Sequence, residues 1–319
     1  MGKPKLAIYW AGSCGGCDVA ILDIEAHLLD VAAAFDIVLW PAATDYKYHH
    51  VEAMEDGAID LCLFNGAIRT SENAHLATLL RRKSQTLVAF GSCAIDGCVI
   101  GLANQFTREA ILARAFTEAP SVDETRGTLP QMVTQVPEGE LHLPEFLDRL
   151  RTLDQTVEVD YYIPGCPPQP KQIWGVLEHI VSGKPLPPKG AVLGAGDKTC
   201  CEECPRTRDE KKLRRFVRPH EIIPDANRCL LDQGIVCLGP ATRSGCGALC
   251  TAVGMPCRGC YGPPPGSRDQ GAKMVSALAS VIASQDPVEI DQIIGTIDDL
   301  VGTLYRFSLA ASPTRGVTG

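Results

Sequence analysis

Nine of the fifteen cysteines fall between residues 200 and 260: Cys200, Cys201, Cys204, Cys229, Cys237, Cys246, Cys250, Cys257 and Cys260. Three further cysteine sites, Cys14/Cys17, Cys93 and Cys166, are spread through the first half. Thiolates are the ligands of iron–sulfur clusters, four to a cubane, and a CxxC pair often supplies two of them from one turn. Twelve of the cysteines divide into three such sets, with Cys62, Cys98 and Cys200 left over. One set is Cys14, Cys17, Cys93 and Cys166. The glycines of Cys14-Gly15-Gly16-Cys17 let the backbone bend close to a cluster and leave amides free for its sulfides. Pro167 and Pro168 stiffen the loop of the last ligand. Structural zinc also accepts four cysteines, but twelve thiols in three fours exceed what staples for one fold need.

The elements that must position these thiols are legible as alternating strands and helices. Apolar runs at Lys5–Trp10, Asp36–Trp40, Ile59–Phe64, Thr86–Phe90 and Val157–Ile163 predict five strands. Helical spacing over Val19–Ala34, with Asp18 as its cap, from Ser71 to about Lys83, and over Gln169–Val181 predicts helices between and after them. The alternation implies an α/β fold with a parallel, flavodoxin-like sheet, followed by an irregular cysteine-rich domain. In such sheets ligands gather beyond the carboxyl ends of the strands. Cys14/Cys17, Cys93 and Cys166 follow the first, fourth and fifth strands, so four thiols from three loops are expected on one sheet edge. Ser182–Gly196 reads as a Gly/Pro-rich linker, which sets the expected domains at residues 1–183 and 184–319. The cysteine field beyond it shows little regular pattern and is expected to fold around its metal. The tail from about Asp269 to Leu309 predicts two amphipathic helices broken near Asp286-Pro287.

With 38 acidic against 30 basic residues the net charge is −8, which argues against nucleic acid as the main partner. No apolar run approaches the roughly 20 residues of a membrane span, and the N-terminus shows no secretion or twin-arginine signal. A cytoplasmic location follows as an expectation, and in a reducing compartment many cysteines point to metal rather than disulfides. There is no phosphate-binding P-loop, no Rossmann glycine fingerprint and no nucleophile–base pair, so no catalytic residue is assigned.

The residues also carry a family resemblance. CGGC after the first strand, GSC at Gly91–Cys93 and PGCPPQP at Pro164–Pro170 resemble the small subunit of nickel–iron hydrogenases. Cys201-x2-Cys204 followed by Cys229 and Cys237 resembles that family's distal cluster site. CLGPATRSGC at Cys237–Cys246 and PCRGC at Pro256–Cys260 resemble its medial site. The combination covers most of residues 5–262 and is most similar to the cytoplasmic methyl-viologen-reducing type that works beside heterodisulfide reductase. The resemblance implies three 4Fe-4S clusters: a proximal one on the first set, a distal one on Cys201, Cys204, Cys229 and Cys237, and a medial one on Cys246, Cys250, Cys257 and Cys260. It implies a large-subunit partner that carries the nickel–iron centre and splits dihydrogen, and a ferredoxin-like subunit feeding heterodisulfide reductase. Two departures from the periplasmic pattern stand out: Cys201 replaces a histidine, and Cys250 supplies a fourth medial thiolate. Both push towards strongly reducing clusters, as all-thiolate ferredoxins at about −400 mV compare with histidine-ligated Rieske centres at roughly −150 mV or above.

Other readings compete. A complex I-like oxidoreductase subunit shares GSC and GCPP but lacks the second cysteine field, and a regulatory dihydrogen sensor would differ in its downstream partner. Cys62 reads as a core residue. Cys98 competes with Cys93, which directly ends its strand, and Cys200 with Cys201, which alone keeps the CxxC spacing. The basic run Arg206–Arg218 reads as a solvated face or a docking patch for an acidic electron partner. His49, His50 and His220 are not expected to be ligands. Glu25 is a candidate proton relay beside the first cluster loop, with solubility as its default reading.

Overall fold

The computed structural model describes residues 2–123, 127–209 and 212–314. Its centre is a five-stranded parallel sheet: β1 (Lys5–Trp10), β2 (Asp36–Leu39), β3 (Ile59–Asn65), β4 (Ser84–Phe90) and β5 (Tyr161–Ile163). The spatial order is β2-β1-β3-β4-β5, with every neighbouring pair parallel. This is the doubly wound order whose switch point lies between the first and third strands. Successive side chains point to opposite faces, so each strand feeds two cores. Leu6, Ile8, Leu61, Leu63, Val88 and Phe90 pack beneath the helices Gly16–Leu22, His27–Ala34 and Pro170–Val181. Ala7, Tyr9, Cys62, Phe64, Leu87 and Ala89 pack against the helix Ser71–Lys83.

Several boundaries differ from expectation, each for a local reason. The first helix breaks: one segment ends at Leu22, the next begins at His27, and Glu25 between them takes φ +56°. Asp18 is not a cap. It sits within the first turn, buried, accepting from Trp40 Nε1 at 2.9 Å and Asn65 Nδ2 at 2.8 Å. The helix expected to be capped by Ser71 is capped by Thr70, whose hydroxyl accepts from the Asn73 N–H at 3.2 Å. The fifth strand starts at Tyr161 rather than Val157, because the Thr156 and Val157 amides turn back onto Leu153 O at 2.9 and 3.0 Å; just before the strand, Asp160 turns its carboxylate onto the Leu87 N–H at 2.8 Å, Arg81 at 2.6 Å and Lys189 at 2.6 Å. Two antiparallel pairs have no counterpart among the expected elements: Ile68–Thr70 with Phe146–Arg151, and Val133–Val136 with Gly139–His142.

The stretch expected to be a linker lies along the sheet. The Tyr162 N–H donates to Ala191 O at 3.1 Å and the Leu193 N–H to Tyr162 O at 2.8 Å, with Leu193 buried. The cysteine field is irregular as expected, but it shares a substantial core with the tail. Leu213, Phe216, Leu231, Ile235, Leu238, Met274, Leu278 and Leu304 are buried together with Cys200, Cys237 and Cys257. The tail forms three helices, Gln270–Val281, Pro287–Ile294 and Leu300–Leu304, where two are expected. Asp286 caps the second and Pro287 occupies its first turn, so the expected break is where Pro belongs in a helix start. Among the described residues no helix is long and apolar enough to cross a membrane.

Candidate iron–sulfur sites

The carboxyl ends of β1, β4 and β5 deliver the first cysteine set. β1 runs into the Cys14–Cys17 loop, β4 into Gly91-Ser92-Cys93 and β5 into Pro164-Gly165-Cys166. The last two loops are stitched together: the Gly91 N–H donates to Ile163 O and the Ser92 N–H to Gly165 O, both at 2.8 Å. Cys17 and Cys93 are buried, while Cys14 and Cys166 are exposed at the rim. The Cys17 thiol lies within electrostatic range of Cys14, Cys166 and Cys98, and burial pushes its pKa up, with those neighbours adding to the rise. Gly91, at φ +82°, lies so close that a side chain there would run into Cys17 Sγ. The Gly16 N–H points at Cys14 Sγ, 3.4 Å away. A backbone this close to the sulfurs is a cradle that only glycine can form.

In the second half, Cys201, Cys204, Cys229 and Cys237 line one small cavity of about 30 Å³ together with Cys200, Arg206, Arg208, Gly239 and Thr251. Gly239 again makes the room: a Cβ there would stand 2.9 Å from Cys201 Sγ and 3.8 Å from Cys237 Sγ. Burial pushes the thiols of Cys201 and Cys237 up to about 12, so a metal is what would ionise them. Cys246, Cys250, Cys257 and Cys260 form the third group, each within electrostatic range of others in it. Cys250 is its exposed member and Cys257 its most buried. The neighbouring Cys200 thiol lowers the pKa of Cys246 and of Cys257, against burial, which raises both. Among the described residues no three His, Cys, Asp or Glu side chains are grouped as for a single metal ion.

The turn Pro256–Cys260 lies between the other two groups. The Cys257 N–H donates to Cys237 Sγ at 3.2 Å. At its other end Cys260 packs against Cys93, Cys98 and Phe307, and its carbonyl accepts from the Ser92 hydroxyl. Half-buried Arg258, within the turn, is in electrostatic range of Cys237, Cys250 and Cys257.

The cysteines outside the three sets have distinct places. Cys62 is fully buried in the sheet core. Cys98 and Cys200 are different: Cys98 Sγ is 3.5 Å from Cys166 Sγ, and buried Cys200 lines the cavity of the distal four while lying within electrostatic range of Cys246 and Cys257. Spacing does not reveal these contacts, since both depend on segments far apart in the chain. Much of the basic run is paired or pinned. Arg206 reaches the carbonyls of Thr251, Asp225 and Arg228, while Arg215 and Arg218 pair with Glu221 and Asp298; Lys211 lies outside the described residues. His49 and His50 sit in the exposed helix Tyr48–Glu52, and His220 and Glu25 are exposed.

A flavodoxin-like sheet with thiols at its carboxyl edge, joined to a second cysteine-rich unit, defines the iron–sulfur small subunits that carry electrons for a hydrogenase. Residues 14–180 match the family model described as "NADH ubiquinone oxidoreductase, 20 Kd subunit". The iron–sulfur subunit of the F420-non-reducing hydrogenase of Archaeoglobus profundus is 44% identical over 311 residues, covering 96% of each chain. A subunit of the F420-non-reducing hydrogenase of Methanothermobacter marburgensis is 32% identical, covering 97% of this chain and 96% of its own. A chain in the crystal structure of an NAD+-reducing [NiFe]-hydrogenase in the H2-reduced state superposes with a TM-score of 0.50 at 29% identity, covering 58% of this chain and 96% of that one. The chain belongs to the small-subunit family of F420-non-reducing, methyl-viologen-reducing-type hydrogenases. It is therefore an electron-transfer subunit of an oxidoreductase that works with a hydrogenase large subunit.

Proposed function

We propose that this subunit holds three 4Fe-4S clusters in a row. The proximal one would sit on Cys14, Cys17, Cys93 and Cys166, the medial one on Cys246, Cys250, Cys257 and Cys260, and the distal one on Cys201, Cys204, Cys229 and Cys237. When bound, the clusters supply one-electron transfer between the dihydrogen-splitting large subunit and an acceptor; the chain fixes their order, spacing and potential. The observation that carries this reading is the Pro256–Cys260 turn, which touches a distal-set sulfur through the Cys257 amide and the proximal-set loops through Cys260. Twelve thiols in three fours exceed what zinc staples for one fold need, which favours clusters over zinc.

The division of labour we infer is a sheet unit, residues 1–183, for the proximal cluster and a second unit, residues 184–319, for the other two. The acceptor we infer is a ferredoxin-like subunit that feeds heterodisulfide reductase in the cytoplasm, as in the hydrogenase type the motifs resemble. Replacing Cys204 with Ala in the intact complex tests the order. Dihydrogen should still reduce the proximal and medial centres, seen by EPR, while dihydrogen-driven reduction of the downstream partner falls at least ~10-fold. Undiminished reduction of that partner would refute the distal position.

A further inference from the structure

The arginines of the cysteine-rich unit are of two kinds. Arg206, Arg215, Arg218 and Arg228 each have an acceptor: carbonyls for Arg206, and Glu221, Asp298 and Asp209 for the others. Arg258 and Arg306 have neither an ion pair nor a hydrogen bond among the described residues. Both are half-buried, and both line one cavity of about 410 Å³. Asp298 and Asp299 line it too, but each is engaged elsewhere: Asp298 with Arg218 at 3.0 Å, and Asp299 with the Gly302 N–H at 2.8 Å.

Arg258 follows Cys257 directly and stands two residues before Cys260. The backbone on either side of it is pinned. Cys257 O accepts from the Leu238 N–H at 2.9 Å, the Cys257 N–H donates to Cys237 Sγ at 3.2 Å, and Gly259 O accepts from Gln270 Nε2 at 2.9 Å. The cavity that its side chain lines has Phe216, Val236 and Ile297 among its walls. Arg306 reaches the same cavity from the tail, one residue before Phe307, which packs with Cys260.

A guanidinium is never deprotonated in a protein. Taking two of them partly out of water side by side is costly without an anion, because hydration is lost and like charges repel. A cubane on four thiolates is such an anion, and an added electron makes it more negative. A fixed positive charge beside it stabilises the reduced form more than the oxidised one, and so raises the potential. Position directs the effect to the medial set. Cys257 and Cys260 flank Arg258 in the chain and Cys250 is within its electrostatic range, whereas the distal set is represented by Cys237.

We propose that Arg258, with Arg306 beside it, is the built-in counter-charge of the medial cluster and holds that cluster's potential above what four thiolates alone would set. This rests on the three-cluster reading above. The test is an EPR-monitored redox titration of the anaerobically purified complex, with each signal assigned by the ligand variant that abolishes it. Arg258 makes no hydrogen bond, so Arg258→Gln should fold and keep the wild-type iron content. At the wild-type midpoint its ratio of reduced to oxidised medial cluster should fall about 10-fold, a shift of about 59 mV to lower potential for one electron. Arg258→Lys keeps the charge and should stay near wild type. Arg306→Gln should move the medial midpoint in the same direction by less, and the proximal midpoint should move least in every variant. An unmoved medial midpoint in Arg258→Gln would overturn the proposal, as would an equal shift in Arg258→Lys or a proximal shift as large as the medial one. Loss of medial iron in Arg258→Gln together with an unmoved midpoint in Arg306→Gln would overturn it as well. A wild-type complex without a four-iron medial signal would instead refute the cluster reading itself.

Discussion

At the scale of single residues, burial and spacing carry different information. Asp18 illustrates this. A short acidic residue before a helical run reads as a cap, but the carboxylate is used to satisfy two buried donors, the Trp40 indole and the Asn65 amide. It thereby ties the helix after the first cysteine loop to β3 and to the end of β2. Asp18→Ala leaves both donors buried without a partner, so the expected cost is about 2–3 kcal/mol, read as a lowered urea midpoint. An unchanged midpoint would mean that water replaces the carboxylate. The same contrast explains the cysteines. The CxxC pairs and strand-ending cysteines are legible because a ligand loop must follow the end of a strand, and the observed β1, β4 and β5 end there. The contacts of Cys98 are not legible, because Phe307 and Ala310 lie more than two hundred residues along the chain and no local pattern brings them back. Cys200 falls outside the CxxC spacing, and that spacing says nothing of a buried thiol beside the distal four.

At the scale of elements, the parallel sheet can be read because its strands are apolar on both faces, and the two cores on either side are what that pattern requires. What escapes reading is where the elements stop. The approach to β5 is a turn at Leu153–Val157, and Asp160 stands just before the strand with its carboxylate turned inward. Burial alone would raise its pKa, but the hydrogen bonds from Arg81 and Lys189 and from the Leu87 amide carry it below the usual carboxylate range. A carboxyl whose pKa falls on folding adds stability above its unfolded value, about 3.9, and loses it as the pH drops through the folded value. Asp160→Asn should therefore cost about 2 kcal/mol at pH 7, with the gap to wild type closing towards pH 4 and below. Anaerobic urea unfolding across that range checks it, and a gap independent of pH would show that the ion pairs contribute nothing. The composition of Ser182–Gly196 suggests a spacer. Its backbone instead extends the sheet beside Tyr162, a pairing that composition does not encode.

At the scale of the whole molecule, the two halves meet through cysteines of each. The sheet contributes Cys93 and Cys166 from its carboxyl edge, and the Pro256–Cys260 turn meets them with Cys260. The tail closes the arrangement: its helices complete the core of the cysteine field, and its last described turns pack on Gly97, Leu150 and Ala67 of the sheet unit. Exposed Trp10, Val19 and Leu22 surround the first cysteine loop, which fits a partner surface on the proximal side. The most direct measurement is the metal content of the anaerobically purified subunit in its complex, by elemental analysis with Mössbauer spectroscopy. Three cubanes predict about twelve iron atoms per chain, all in four-iron clusters and without zinc. About four or eight iron atoms, a three-iron medial cluster, or zinc in place of iron at any of the sets would contradict it.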